Sequence, residues 1–192
     1  TKMKKLLIIL LCLPLLFSTC KKEDEESSAL SIGDIHQGGI VFYLDGNGGG
    51  LVSASTDQST GAEWGCFMVL ISGANGTAIG TGAQNTTDII NTICTPNTPG
   101  KFIAANICAN LTLGGYSDWF LPSRNELNEM YLNIGQGNAL GVGNIGGFTN
   151  GDYWSSTQHS NYSAWGQSFI NGSQINVGKF IYSTNLRAIR AF

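Results

Sequence analysis

The chain is short of charge. Charged residues make up 12% of its 192 residues, and the formal net charge is −3. Helical enzymes and coiled coils normally carry more charge than this. A nucleic-acid-binding surface needs a basic excess, which this composition lacks. The sequence therefore disfavours those classes and predicts no nucleic-acid partner.

Motifs for catalysis or metal binding are also scarce. The two histidines, His36 and His159, have no cysteine or acid at metal-ligand spacing. The glycine-rich stretch "GTGAQNTT" contains no GxGxxG or GK[ST] phosphate loop, and no GxSxG nucleophile elbow accompanies the serines near His159. The stretch that begins at Asp45, "DGNGGG", resembles a calcium loop, but Thr56 stands where an EF-hand has its bidentate acid. We expect no enzyme activity, no metal and no cofactor; calcium is the open alternative, and the sequence does not support it.

The first residues have the order of a secretion signal. In "MKKLLIILLCLPLLFSTC" two lysines precede an apolar run from Leu6 to Phe17, and Cys20 follows. This run has 12 residues, whereas a transmembrane helix needs about 20. We interpret residues 1–19 as a lipoprotein signal peptide and Cys20 as the lipidated residue. The alternative is an ordinary cleaved signal with an incidental cysteine.

Residues 20–31 are interpreted as a lipidated cysteine and an acidic tether. The run "KKEDEESS" resembles the surface-export signal of Bacteroidetes lipoproteins, and the alternative is a solvated spacer. We predict an outer-membrane protein that is anchored through Cys20 and exposed at the cell surface. The first 19 residues hold three lysines and no acid, so the net charge from Cys20 onward is −6.

Three cysteines remain beyond this region: Cys66, Cys94 and Cys108. An odd number in an exported protein leaves at most one internal pair and one free thiol. Cys94 and Cys108 close a short loop between two predicted helices. We therefore predict a disulfide between them.

Residues 32–192 are predicted to form one α+β domain. Abundant glycine, 26 residues, favours turns and ordered loops. A hairpin is predicted around the "DGNGGG" turn, between residues 40–44 and 51–54. Three helices are predicted next: from Asn85 or Thr86 to Cys94, from Lys101 to Leu111, and one that Ser123 caps with Glu126 in a capping box. Period-two patterns then predict strands at 153–157, 164–170 and 174–180. A hairpin, then helices, then antiparallel strands is typical of an α+β fold.

Aromatic rings and neutral hydrogen-bonding groups alternate after Gly151, in "DYWSSTQHSNYSAWGQSF". Rings stack on the C–H faces of sugars, while amides and hydroxyls bind sugar hydroxyl groups. The alternative is that these rings belong to the core, which we expect of Trp154 and Phe169. Side chains in the loop around Asn161 are free to face solvent.

Several segments together resemble a known family. "GGIVFYLDGNGGGLVSA", "EWGC", "GGYSDWFLPSRNELNEMY", "YWSST" and "LRAIRAF" occur in order from Gly38 to Phe192. They resemble the Lcl C-terminal domain family, which is named for a collagen-like bacterial adhesin. "WFLPSRNE" is also similar to a signature of the formylglycine-generating-enzyme branch of C-type-lectin-like folds. The resemblance implies a C-type-lectin-like fold, with short helices on small twisted antiparallel sheets and long ordered loops. It also implies extracellular ligand binding, with glycans as the leading class.

The sequence departs from that family at two points. No cysteine follows Cys108, which argues against the oxidase chemistry of the formylglycine-generating enzymes. The namesake domain is a trimeric binder of sulfated glycosaminoglycans, and sulfate is best matched by Arg and Lys. From Ile32 onward the cations are only Lys101, Arg124, Lys179, Arg187 and Arg190. A neutral glycan or an extracellular protein therefore fits better as the partner. The sequence shows no collagen-like or heptad stalk that would predict a trimer, so it predicts no oligomeric state.

The resemblance assigns residues 158–164 and 171–182 to a variable recognition face. The predicted contact residues are His159, Asn161, Tyr162, Trp165, Gln167, Asn171, Gln174 and Tyr182. Arg187 and Arg190 are predicted to fix the last strand to the frame. We expect a surface-displayed, adhesin-like lipoprotein that binds a ligand without catalysis. The alternatives are a structural subunit of an envelope or pilus assembly, and a glycan-active hydrolase that brings together acids such as Asp118, Glu126 and Asp152.

Overall fold

The computed structural model describes residues 29–94, 96 and 99–192. The predicted signal peptide at 1–19, the lipidated Cys20 and the tether up to residue 28 lie outside the described residues. Seven strands and three helices occur in the described chain: β1 Ile35–His36, β2 Gly39–Leu44, β3 Gly50–Ser53, α1 Gly82–Asn91, α2 Ala104–Ala109, α3 Arg124–Asn133, β4 Asp152–Gln158, β5 Ser163–Ser168, β6 Gln174–Gly178 and β7 Ile189–Ala191. The predicted α+β class is confirmed.

The strands form two antiparallel sheets. The first sheet has the order β1-β2-β3-β7, so the last strand of the chain pairs with one of the first. The second sheet has the order β4-β5-β6 and consists of two consecutive hairpins. No helix in the described ranges combines the length and the apolar character that a bilayer crossing demands.

The predicted hairpin around "DGNGGG" is confirmed as β2 and β3. The Asp45 carboxylate accepts hydrogen bonds from the backbone N–H groups of Asn47, at 2.7 Å, and Gly49, at 3.0 Å. Gly46 has φ +77° and Gly48 has φ +96°, which a residue with a side chain rarely adopts. The carboxylate therefore stabilises a turn.

The third helix begins as predicted. The Ser123 hydroxyl accepts from the Glu126 N–H at 3.3 Å, and Glu126 Oε2 accepts from the Ser123 N–H at 2.7 Å. This is the reciprocal capping box that the sequence predicts. Glu126 also accepts from the Gly80 N–H at 2.7 Å. Its carboxylate is buried, and this burial raises its pKa.

The other two helices are shorter or displaced. The first begins at Gly82 rather than at Asn85 or Thr86, and it ends at Asn91. Asn85 does not cap it, because its buried amide binds both the N–H and the carbonyl of Gly76. The second covers only Ala104–Ala109 of the predicted 101–111.

Two apolar clusters form the core. One lies around three buried tryptophans, Trp64, Trp119 and Trp154, with the first two helices. The other includes Phe169 and residues of α3 and β2. Trp154 and Phe169 are fully buried, which confirms that they are core residues.

The structure corrects the predicted disulfide. Cys66 pairs with Cys94, with their Cα atoms 4.8 Å apart, and Cys108 is a free buried thiol. The predicted Cys94–Cys108 pair is therefore wrong. Cys108 lies on the buried side of α2 beside Ala104 and Ala105, within the core. Burial raises the pKa of its thiol.

The two C-terminal arginines hold the end of the chain, as predicted. Arg187 forms a buried ion pair with Asp57, with Nη2 and Oδ1 2.7 Å apart. It also donates to the carbonyls of Ala54 and Gly146. Arg190 pairs with Asp118. Both arginines thus tie the last strand to segments that are distant in sequence.

Candidate ligand-binding face

The candidate site lies on the second sheet. Trp165 pairs with Asn176, and Gln167 pairs with Gln174, across β5 and β6. Residues that face each other in an antiparallel pair, and residues two apart on one strand, point to the same side. These four side chains therefore share one face. Helix α3 covers one part of this face, and the rest is accessible.

Arg124, the first residue of α3, lies against this face. Its Nε donates to Gln174 Oε1 at 2.7 Å, and its guanidinium carbon lies 3.8 Å from the centroid of the Trp165 ring. The His159 ring meets the Trp165 ring edge-on, with centroids 5.1 Å apart. His159 itself is exposed, and its Nδ1 lies 3.1 Å from the hydroxyl of Ser163. Trp165 is thus held between a cation and an imidazole.

An exposed apolar segment lies beside the 159–162 loop. The ring of Tyr162, which is 52% exposed, is 5.8 Å from the ring of Phe67. Phe67 in turn lies 5.0 Å from Phe180. The neighbours of Phe67 point outward, since Met68 is 62% exposed and Leu70 is 71% exposed. We call residues 66–71 the apolar loop.

The backbone of the apolar loop is fixed from the inside. Cys66 is bonded to Cys94. The buried Lys179 ammonium donates to the Val69 carbonyl at 2.8 Å and to Gln158 Oε1 at 2.7 Å. The Gln158 amide also accepts from the Ile71 N–H at 2.9 Å and donates to the Ile71 carbonyl at 3.3 Å. The loop thus presents apolar side chains on an anchored backbone.

A pocket of about 380 Å³ lies between the apolar loop and the second sheet. Its lining combines apolar side chains with backbone and amide groups: Leu70, Ile71, Ser72, Gly73, Asn75, Gln158 and His159. His159 therefore contributes both to this pocket and to the Trp165 cluster.

The structure brings together five of the eight predicted contact residues. His159, Tyr162, Trp165 and Gln174 belong to the arrangement just described, and the half-buried Asn161 lies in the same loop. Asn171 lies at the opposite end of the β5–β6 hairpin, and β5 alone is about 17 Å long. Tyr182 is exposed beyond Phe180, with the Lys101 ammonium 5.4 Å from its ring.

One predicted contact residue is buried. Gln167 is only 1% exposed, and its Nε2 donates to Asn128 Oδ1 at 3.0 Å and to the Gly172 carbonyl at 3.2 Å. The prediction that Gln167 contacts a ligand is therefore wrong, because its side chain is buried and its amide nitrogen is bound to Asn128 of α3 and to the β5–β6 turn. The spacing of two residues between Trp165 and Gln167 correctly predicts that both lie on one face of β5. It carries no information about α3, which covers the Gln167 end of this face.

Sequence reasoning missed the apolar loop, Arg124 and Asn176. The run "CFMVL" is apolar, and its exposure follows from tertiary anchors that no local pattern encodes. In the sequence Arg124 is only one of the five cations beyond Ile32, and no local pattern places it against Trp165. Asn176 is exposed opposite Trp165, and its alternation with Gln174 was the available signal.

The face carries little negative charge. No aspartate or glutamate follows Asp152 in the chain, and residues 64–87 contain no charged side chain. The described ranges contain no group of three or more His, Cys, Asp or Glu side chains arranged to hold a metal ion. Recognition at this face would therefore depend on rings, amides, the His159 imidazole and the Arg124 guanidinium.

A family profile, that of the Lcl C-terminal domain, matches residues 53–190. The chain belongs to the Lcl C-terminal domain family. The match covers the apolar loop, all three helices and the whole second sheet, so the candidate face lies within the family's domain. No curated protein matches the chain at a significant level. The C-type-lectin-like fold and the relation to the formylglycine-generating enzymes stay predictions.

Proposed function

We propose that this Lcl C-terminal domain is the ligand-binding part of a surface lipoprotein of adhesin type, and that it recognises a glycan without transforming it. The observation that carries the proposal is the accessible Trp165 cluster, in which an aromatic ring is combined with Arg124, His159 and Gln174. The lipid anchor at Cys20 and display on the outer membrane are part of the proposal.

A glycan fits the chemistry of this face. Sugars offer hydroxyl groups at their edges and C–H groups on their faces, and proteins meet them with amides, hydroxyls and rings. The exposed Asn176 amide, the His159 imidazole and the Tyr162 ring supply these groups. Because the Gln174 amide oxygen is bound to Arg124, we assign Gln174 to positioning rather than to direct contact.

Two of the three carboxylates named for a glycan hydrolase, Glu126 and Asp118, already serve the fold, which supports a role without catalysis. Glu126 accepts backbone hydrogen bonds at the start of α3. Asp118 is paired with Arg190, and Asp57 with Arg187. A hydrolase needs an acid and a second carboxylate at the scissile bond. A substrate would therefore have to displace these internal partners.

A glycan array tests the proposal. The full-length chain, solubilised in mild detergent, is applied with and without a chelator. We expect binding to a defined set of glycans, and about tenfold weaker binding by His159→Ala and Asn176→Ala, since a lost hydrogen bond to a ligand costs about 1–1.5 kcal/mol. Asn171→Ala, at the far end of the same hairpin, is the matched control and should bind normally. The absence of any glycan signal would contradict the proposal.

A protein partner is the second candidate, and the apolar loop favours it. Met68 and Leu70 are exposed on the apolar loop, and the exposed Phe180 packs against Phe67 of the same loop. Exposed apolar patches mark interaction sites. Such a domain would act as an adhesin for a protein or as a structural subunit of an envelope assembly. Stable co-purification with envelope proteins, together with no array signal, would favour this candidate over the first.

A further inference from the structure

Arg124 differs from the other two arginines of the chain. Arg187 is paired with Asp57, and Arg190 with Asp118. Arg124 makes no ion pair with any described residue, although it lies half-buried against a tryptophan. Its cationic charge therefore has no internal counterpart in the described chain.

The guanidinium of Arg124 is also held in one orientation. Its backbone N–H donates to Thr157 Oγ1 at 3.0 Å, which fixes the start of α3 to β4. Its Nε donates to Gln174 Oε1, and the ring of Trp165 supports the guanidinium at 3.8 Å. Among the described residues, neither Nη1 nor Nη2 donates a hydrogen bond. An arginine that is fixed at Nε and stacked on a ring offers these two nitrogens side by side, which is the geometry that a carboxylate accepts.

We propose that Arg124 binds a carboxylate of the ligand through Nη1 and Nη2, and that the site therefore selects an acidic glycan whose sugar carries a uronate. This inference rests on the proposed glycan-binding function and specifies its ligand class. In this arrangement Gln174 is a positioning residue, because it acts through Arg124. The His159 imidazole and the Asn176 amide lie on the same face as Trp165 and are available to the hydroxyl groups of the sugar.

A single carboxylate fits this site better than a densely sulfated chain. Of the five cations beyond Ile32, Arg187 and Arg190 are ion-paired and Lys179 is buried. Among the described residues, Arg124 is the one cation that lies on the Trp165 face, and the chain from Cys20 onward has a net charge of −6. A polyanion would meet this net negative charge with one cation to bind it. A uronate that alternates with neutral groups needs only one.

A neutral oligosaccharide that ends in a single galacturonate and the methyl ester of that oligosaccharide provide the test, because esterification removes the charge of the carboxyl group and adds only a methyl group. Affinities of the full-length chain in detergent are measured for both, for a neutral galacto-oligosaccharide and for a sulfated oligosaccharide. We expect the affinity for the free acid to be at least about tenfold higher than the affinity for its ester, because hydrogen bonds to charged groups are stronger than those to neutral groups. The wild-type comparison needs no variant and so does not depend on the folding of one.

Variants at Arg124 then assign the effect. Arg124→Gln should remove the preference for the free acid. Arg124→Lys should lose most of it, because an ammonium keeps the charge but not the planar pair of donors. Lys101→Gln, which removes one positive charge elsewhere on the surface, should leave the preference intact. Melting temperatures of all three variants should stay close to that of the wild type.

The outcomes separate this inference from the proposed function. If the acid, the ester and the neutral sugar bind equally well, the carboxylate assignment is overturned while glycan binding stands. If the sulfated oligosaccharide binds more tightly than the uronate, the assignment is also overturned. If no glycan binds at all, the proposed function fails and takes this inference with it.

Discussion

The ammonium of Lys179 donates a hydrogen bond to the main-chain carbonyl of Val69 at 2.8 Å, across 110 residues of sequence. The same ammonium binds Gln158 Oε1 at 2.7 Å and lies 4.6 Å from the centroid of the Trp64 ring. A fully buried cation therefore joins the apolar loop to the second sheet and to the tryptophan core. This contact makes the loop sensitive to the protonation of one lysine.

Lys179 predicts a specific pH dependence of stability. Burial lowers the pKa of Lys179 to about 8, whereas an unfolded lysine has a pKa of about 10.4. Between these values the unfolded chain holds more protons, so the free energy of unfolding rises with pH. Below about pH 8 both states are protonated and this term is constant. Denaturant unfolding at pH 7, 9 and 10.5 should show the wild type gaining stability relative to Lys179→Met across this window.

Lys179→Met is a suitable reference because it keeps an unbranched apolar stem and removes only the titrating group. Its own cost, from leaving the Val69 carbonyl unpaired, does not depend on pH. Parallel pH profiles for the two proteins between pH 8 and 10.4 would show that Lys179 has an ordinary pKa in the folded chain.

The corrected disulfide gives a second prediction. Replacing Cys66 and Cys94 by Ser should lower the free energy of unfolding by about 2–4 kcal/mol, because the bond closes a segment with a sequence separation of 28. It should also release the apolar loop, which would exchange its amide protons faster. Peptide mapping under non-reducing conditions should recover Cys66 linked to Cys94.

Cys108 is the internal control for that experiment. Its thiol is buried and its pKa is raised, so an alkylating reagent should label it only after the chain unfolds. A Cys94–Cys108 peptide, or rapid labelling of Cys108 in the folded protein, would contradict the structure.

The apolar loop gives a third prediction, which concerns partners rather than stability. Met68→Ser with Leu70→Ser should leave the melting temperature nearly unchanged, because both side chains are largely exposed. The double variant should lose co-purification with envelope proteins if the loop docks a protein. Ile170→Ser is the control, since Ile170 is equally exposed but lies at the far turn of the β5–β6 hairpin. Equal co-purification by all of these proteins would exclude the apolar loop as a docking surface.

The sequence predicts the parts of the fold that local chemistry determines. The Ser123–Glu126 capping box and the Asp45 turn involve residues within four positions of each other, so the pattern and the structure coincide. The β4–β5–β6 hairpins follow from period-two alternation and the turn at Asn171.

The parts that were missed depend on contacts between distant segments. The sequence predicts Asn85 as a helix cap, but Asn85 lies inside the helix and its side chain donates a hydrogen bond to the Gly76 carbonyl. Cys94 is closer to Cys108 in sequence than to Cys66, yet the disulfide joins the longer span. The exposure of the apolar loop follows from Lys179 and Gln158, which are about 90 to 110 residues away. Local patterns carry no information about such partners.

The most direct test of glycan recognition at this face is a comparison of the full-length wild type with the Asn161→Ala/Tyr162→Ala double variant on a glycan array and against host extracts. Tyr162 is 52% exposed, so its truncation should spare the fold and change the melting temperature little. We predict that the double variant loses binding while Asn171→Ala retains it. Unchanged binding by the double variant at an unchanged melting temperature would contradict the assignment of this face.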